Sequence, residues 1–189
     1  YETAPLELHL DPLTREDATS YLTAMVGAEA AEGAIDHLEE RGLGGLWRNP
    51  QTLNLVVDVV AKGTLPTSKG ALFAEATKLM RTEHREEKAD TPFALLAEDD
   101  VLDAAGAAFA TMILTGKEAI SRKVQVADGD IPLAEAARLP GAGALPDILG
   151  SRLFSGVFDD RFSYDHRAIG EFLGARWLAR QADTPRKQR

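Results

Sequence analysis

At 189 residues, with a formal net charge of -9, 44% hydrophobic residues and no cysteine, the chain can bury one sizeable core or two small subdomains. The missing cysteines exclude disulfides, thiolate zinc sites and cysteine nucleophiles, and no apolar run approaches the roughly twenty residues that a membrane-spanning helix requires. The acidic balance opposes attraction to a phosphate backbone, which argues against nucleic acid as a partner and leaves a soluble chain with no membrane role as the expectation.

Leu6, Leu8 and Leu10 alternate with Glu7 and His9, the pattern of one half-buried strand. Thr14 ahead of Arg15-Glu16-Asp17 is an N-cap with acidic residues in the first turn, and predicts a helix through Tyr21, Leu22 and Met25 to Gly27. A second helix is expected from Ala28 to Arg41, with Ile35 and Leu38 inward, ending at Gly42. Asn49-Pro50 is a sharper start signal, because asparagine caps well and proline suits the first helical position. The helix that follows carries Leu53, Val56, Val57 and Val60 on one face, with Leu55 and Val59 also apolar, and stops at Gly63. Val56-Val57-Asp58-Val59-Val60 could be a strand on β-propensity, but the cap signal outweighs it.

Thr67-Ser68 caps a long helix with Leu72, Phe73, Ala76, Leu79 and Met80 inward, whose far end from Arg81 to Lys88 reads as a solvated charge run. Phe93 to Gly116 predicts another helix, with Leu102, Ala105, Phe109, Met112 and Ile113 as its apolar face. Its Ala105-Gly106-Ala107-Ala108 run permits close packing. Ser121 to Val126 is expected to be a short strand or extended loop, and Asp128-Gly129-Asp130 a turn without calcium-loop spacing. Short helices are expected over Leu133 to Leu139 and Leu145 to Ser151. A hairpin over Leu153 to Phe158 and Arg161 to Tyr164 turns at Asp159-Asp160. The last helix carries Ile169, Phe172, Leu173 and Trp177 at helical spacing.

His166 falls at the start of that helix, where backbone N–H groups lack intrahelical partners and the dipole is positive. The position suits an anion such as a phosphate and equally suits an ordinary capping region. No other chemistry stands out. The Gly116-Lys117 pair has Thr111 where the first glycine of a P-loop belongs and Glu118 in place of its hydroxyl, so a Walker A loop is missing. Phe93 to Asp100 imitates an apolar strand ending in magnesium-binding carboxylates, but an acidic helix start fits it better. His9, His37, His84 and His166 show no metal spacing, and no Gly-x-Ser-x-Gly elbow occurs. The acidic residues are too numerous for any pair to be assigned to catalysis.

The string Phe162-Ser163-Tyr164-Asp165-His166, followed by Glu171-Phe172-Leu173, Ala175 and Trp177-Leu178, resembles the winged-helix segment of NACHT-type STAND nucleotide-triphosphatases. Tyr164-Asp165 departs from the spacer many members carry. Asn49-Pro50-Gln51-Thr52-Leu53 resembles the Asn-Pro-x-x-Leu segment of their helical lid, and Gly63 to Ser68, the Leu72-Phe73 helix and the Leu8-to-Leu22 stretch follow in the family's order. The resemblance spans most of Leu6 to Leu178 and is weakest from Ala119 to Ala144.

It implies a mainly α fold, a helical lid followed by a winged helix with a short β-hairpin. The expected boundaries are a strand or linker over residues 1–13, a lid over 14–92, a winged-helix subdomain over 93–181 and a tail over 182–189. It also implies that His166 contacts the β-phosphate of ADP, that Pro50 packs on adenine with Asn49 beside it, and that the amides next to Pro50 lie open. The chain itself would be no enzyme. It would regulate an ATPase whose P-loop core lies upstream and binds ADP or ATP with Mg, and whose protomers form a homo-oligomer on activation. The absence of cysteine and of a signal peptide makes the cytoplasm the expected compartment, and the resemblance implies a role of the kind that bacterial relatives often play in defence or signalling. The start at Tyr1 and the basic end Arg186-Lys187-Gln188-Arg189 read as those of a piece of a longer chain. Two other readings stay open. One is a winged-helix nucleic-acid regulator using Arg152, Arg161, Arg167, Arg176 and Arg180, and the other a ligand-free helical scaffold.

Overall fold

The computed structural model describes residues 11–87 and 95–182, apart from the side chains of 82–87. Among these residues the protein is mainly helical, with eight α-helices and one four-stranded sheet. It divides into two compact units, Tyr1–Leu72 and Phe73–Arg189. The expected strand at Leu6 to Leu10 and the tail after Ala182 lie outside the described residues.

In the first unit, local chemistry sets the helix ends. Helix α1 (Arg15–Val26) begins in a capping box: Thr14 Oγ1 accepts from the Asp17 amide, and Asp17 Oδ2 accepts from the Thr14 amide at 3.1 Å. Helix α2 (Ala28–Glu40) follows after Gly27, whose φ of 89° suits glycine. A 3₁₀ turn at Gly44–Leu46 leads to α3 (Pro50–Ala61), which is a helix and not the strand its valines would allow. Leu53, Leu55, Val56, Val57, Val59 and Val60 are all buried, together with Ala18, Leu22, Ile35, Leu38 and Trp47. Burying an apolar side chain of this size contributes about 1.5–3 kcal/mol before the ordering entropy is subtracted. His37 Nε2 lies 3.0 Å from the Pro66 carbonyl, tying α2 to the loop after α3.

Helix α4 (Lys69–Glu87) is capped by Ser68 Oγ, which accepts from the Ala71 amide at 3.0 Å. The charge run at its far end is not uniformly solvated, because the Arg81 side chain is only 12% exposed, pairs with Glu98 and donates to the Leu96 carbonyl.

In the second unit, α5 (Glu98–Thr115) and α8 (Arg167–Ala182) form the central pair. A Cβ added at Gly106 would lie 2.6 Å from the Leu173 carbonyl oxygen, and one at Gly174 would lie 3.1 Å from the Ala110 amide nitrogen. The small residues expected to permit close packing are therefore where the helices meet. The apolar face of α5 differs from the expectation. Val101, Ala104 and Ala107 join Phe109 and Met112 in the core, Leu102 is half-buried and Ile113 is exposed. The helix is flanked on several sides, so a single 3.6-residue stripe cannot describe it.

The sheet is larger than the hairpin expected. Strands β1 (Ala119–Ser121), β2 (Asp130–Pro132), β3 (Phe154–Val157) and β4 (Arg161–Tyr164) lie in the order β2-β1-β4-β3, with β1 and β2 parallel and the other neighbours antiparallel. Of Ser121 to Val126, expected to be a short strand or extended loop, only Ser121 belongs to a strand and the rest is loop, and Asp130 leaves the turn to open β2. Pro132 is compatible with β2 because that strand lies at the sheet edge. The one-turn helices α6 (Leu133–Ala136) and α7 (Leu145–Ile148) occupy the first parts of their expected spans. Asp159 and Asp160 turn the β3–β4 hairpin with φ of 75° and 58°, a left-handed conformation that aspartate tolerates better than most residues.

Candidate functional site

Pro50 and His166 belong to different units. Pro50 opens α3, and Asn49 Oδ1 accepts from the Gln51 and Thr52 amides at 2.9 and 3.2 Å. That corrects one expectation: the amides beside Pro50 are engaged by the cap and do not stand open to a ligand. Asn49 is committed to ending the helix and setting Pro50 in place.

The exposed ring of Pro50 lines a cavity of about 360 Å³ with Leu13, Asp17, Tyr21, Leu53 and Asn54. The Leu13 amide donates to the Arg48 carbonyl at 2.9 Å, holding the segment before α1 against the start of α3. The walls are apolar apart from three polar groups. The Tyr21 hydroxyl donates to Asn54 Oδ1 at 2.7 Å, and Asp17 faces the cavity from the first turn of α1. The bond from the Thr14 hydroxyl holds the Asp17 carboxyl below its ordinary value, so it stands ionised as an acceptor. Tyr21, Asn54 and Leu13 were not identified as site residues from the sequence. Asn54 could have been, because it follows Pro50 by four residues and so lies one turn further along the same helix face.

His166 immediately precedes α8, and its carbonyl accepts the helix's first bond, from the Gly170 amide at 2.9 Å. Tyr164 fixes the approach: its side chain packs against Gly170, where an added Cβ would come within 3.2 Å, and lies edge-on to Phe109 with ring centroids 6.2 Å apart. The Asp165 amide donates to the Leu153 carbonyl at 3.3 Å. The half-buried His166 therefore sits on a short, braced link between β4 and α8. Glu171 pairs with Arg167, and Phe172 packs on Phe73 with ring centroids 5.9 Å apart.

A second cavity, of about 460 Å³, lies beside β1, β2 and β4. Its charged groups satisfy one another. Arg161 Nε and Nη2 each donate to the Asp130 carboxylate at 2.8 Å, Nη2 also approaches Glu118 at 3.4 Å, and Lys123 pairs with Asp159. The side chain of Asp130 is only 3% exposed. The bonds to Asp130 raise the Arg161 guanidinium above its ordinary value. No general base or nucleophile is set apart here, and the pairing reads as structural.

The basic residues of the C-terminal part are largely compensated. Arg176 and Arg180 pair with Asp99 and Asp103, Arg161 with Asp130, and Arg167 with Glu171. A nucleic-acid surface needs uncompensated positive charge, so these pairings work against that use of the arginines. Among the described residues no three His, Asp or Glu side chains are placed to hold a metal ion, and no helix is long and apolar enough to cross a membrane.

No protein-family model matches the chain, and neither the curated proteins nor the solved structures contain a match to it.

Proposed function

We propose that the chain is the helical lid and winged-helix portion of a NACHT-like STAND ATPase, which closes over ADP and lets go on exchange for ATP. The observation that carries this reading is the cavity at Pro50. A rigid apolar ring, a tyrosine and two leucines line about 360 Å³, with a few polar groups at the margin. That is the usual make-up of a site for a small molecule. The family resemblance at Asn49-Pro50 and at Phe162 to His166 names that ligand as an adenine nucleotide.

In this reading Pro50 supplies the base contact, and Asn49 keeps that ring at the helix start. His166, ahead of α8, supplies the phosphate contact, while α5, the hairpin β3–β4 and α8 serve as the winged helix. A hydrogen bond from His166 to a phosphate oxygen would be charge-assisted and contribute about 1.5–3 kcal/mol. A bias of that size shifts a two-state equilibrium by roughly ten- to a hundredfold toward the closed form. The rest of the site, with its P-loop and Mg, belongs to the upstream core, and release of the closed form frees protomers to assemble.

The test is to purify the parent protein in its wild-type and His166→Ala forms, denature each and identify the nucleotide released. The reading expects near-stoichiometric ADP from the wild type and much less from the variant. Nucleotide absent from both preparations overturns it.

A further inference from the structure

The four-stranded sheet ends in two edges of opposite character, and we infer that its β3 edge joins two copies of this chain in an antiparallel, two-fold pair. The β2 edge is closed to such pairing, because it is three residues long and Pro132 has no N–H to offer. The β3 edge has none of the usual protection. Phe154-Ser155-Gly156-Val157 carries no charge and no proline, Gly156 and Val157 are exposed, and Phe158 immediately after them is 90% exposed. Among the described residues only β4 pairs with this strand.

The ladder fixes which main-chain groups point outward. In an antiparallel pair, opposed residues alternate between those that exchange bonds and those that do not. The Asp165 amide donates to the Leu153 carbonyl, so Phe154 with Tyr164, one step on, is a non-bonded pair, and so is Gly156 with Phe162. The Phe154 amide agrees, turning away from β4 to the Ser151 carbonyl at 3.1 Å. The N–H and C=O of Gly156 and the C=O of Phe154 therefore face away from β4. A two-fold axis at Gly156 lets the glycines of two copies exchange both bonds with no side chain in the way, and brings the Phe158 amide of each copy to the Phe154 carbonyl of the other. The same register sets exposed Val157 across from half-buried Ser155 of the other copy, a large side chain beside a small one. Charge matches as well. Exposed Arg152 precedes the strand and exposed Asp160 follows it, so the antiparallel register brings Arg152 of each copy toward Asp160 of the other, whereas a parallel one would align like charges. The strand is thus complementary to itself, which makes a second copy its occupant. Such a contact closes at two copies and is distinct from the assembly of activated protomers proposed above.

The pairing is tested in the parent protein by sedimentation over a range of concentrations, for the wild type, Arg152→Glu, Asp160→Lys and an equimolar mixture of these two variants, with each fold checked by circular dichroism. The wild type is expected to form a concentration-dependent dimer. Either variant alone sets like charges together at both ends of the strand pair and should weaken the dimer by about tenfold or more. In the mixture every introduced charge meets its opposite, so heterodimers should form with near wild-type strength, a result that misfolded variants could not give. Gly156→Pro removes the outward N–H without touching a bond to β4, and should also favour the monomer. A wild type that stays monomeric throughout, self-association that ignores all three substitutions, or a mixture that recovers no dimer would overturn the inference. None of these residues belongs to the proposed nucleotide contacts, so each of those outcomes leaves that reading as it stands.

Discussion

The two units of this chain solve the same problem, ending helices and filling a core, by different means. In the first, α1 and α3 begin at side-chain caps within three residues of the groups they satisfy, and α2 begins after a glycine. In the second, α5 starts at Ala97 with no side-chain cap, and contacts far apart in sequence do the work instead: Gly106 against Leu173, Arg161 against Asp130, Phe109 against Tyr164. A unit built on caps loses a little from each change, whereas a unit built on long-range contacts loses much when one of them fails.

The largest expected effect is therefore at Arg161. Replacing it with alanine leaves the buried Asp130 carboxylate without its bidentate partner, which destabilises more than the loss of a helix cap does. Urea denaturation should show that loss, and hydrogen exchange should place it in β1 and β2. Converting both partners together, Asp130→Leu with Arg161→Met, should recover most of it, because an apolar pair leaves no charge uncompensated. Next comes Gly106→Ala. Alanine gains about 1 kcal/mol of helix propensity, yet its Cβ would meet the Leu173 carbonyl and the Trp177 Cβ, at 2.6 and 2.8 Å. Neither atom belongs to a flexible end that can swing away, so the net expectation is a loss of about 1–3 kcal/mol from overpacking. A gain on thermal melting would show that α5 and α8 meet less closely than described.

The same contrast explains what could be seen in the sequence. Thr14, Asn49-Pro50, Gly27, Gly63 and Asp159-Asp160 act within a few residues of themselves, so the helix starts, stops and the hairpin turn they mark could be placed in advance. The parallel pairing of β1 with β2 could not. Each strand has three residues, too few to show a period, and the bond that secures Asp130 comes from Arg161, 31 residues away. For α5 the periodicity misled, since a run of alanines hides which sides are covered. The candidate site divides the same way. Pro50, Asn49 and His166 stand at helix starts, which are local features. The Tyr21–Asn54 bond joins two helices across 33 residues and had no local signal beyond the one-turn spacing from Pro50.

In the first unit the corresponding loss is smaller. Asn49→Ala removes the acceptor for the Gln51 and Thr52 amides and should cost about 1 kcal/mol, within the 0.5–2 range of such caps. Asn49→Asp should cost much less, because a carboxylate caps equally well and favours the positive end of the helix dipole. If the alanine change instead approached the Arg161→Ala effect, the distinction between a cap-built and a contact-built unit would fail.

The smallest effect separates the units by its cause. Asp17 in the first unit and Asp99 in the second are both held below the ordinary carboxylate value of 3.8, Asp17 by the Thr14 hydroxyl and Asp99 by hydrogen bonds from Arg180 and Arg176. The sign is the same for both. The folded state binds fewer protons than the unfolded state in this range, so each group stabilises fully above its unfolded value, and the contribution falls away as pH drops through the lower folded value. Their salt response should differ. The donor to Asp17 is neutral and adjacent, so its depression should survive about 1 M salt, where the screening length is about 3 Å. Asp99 is largely exposed and owes its shift to two cations, so its depression should shrink toward the ordinary value. NMR titration of the two side-chain carboxyl carbons at low and high salt reads both at once. Equal salt sensitivity would mean that the Asp17 carboxylate responds to distant charge, and that the first unit is less local in its electrostatics than its caps imply.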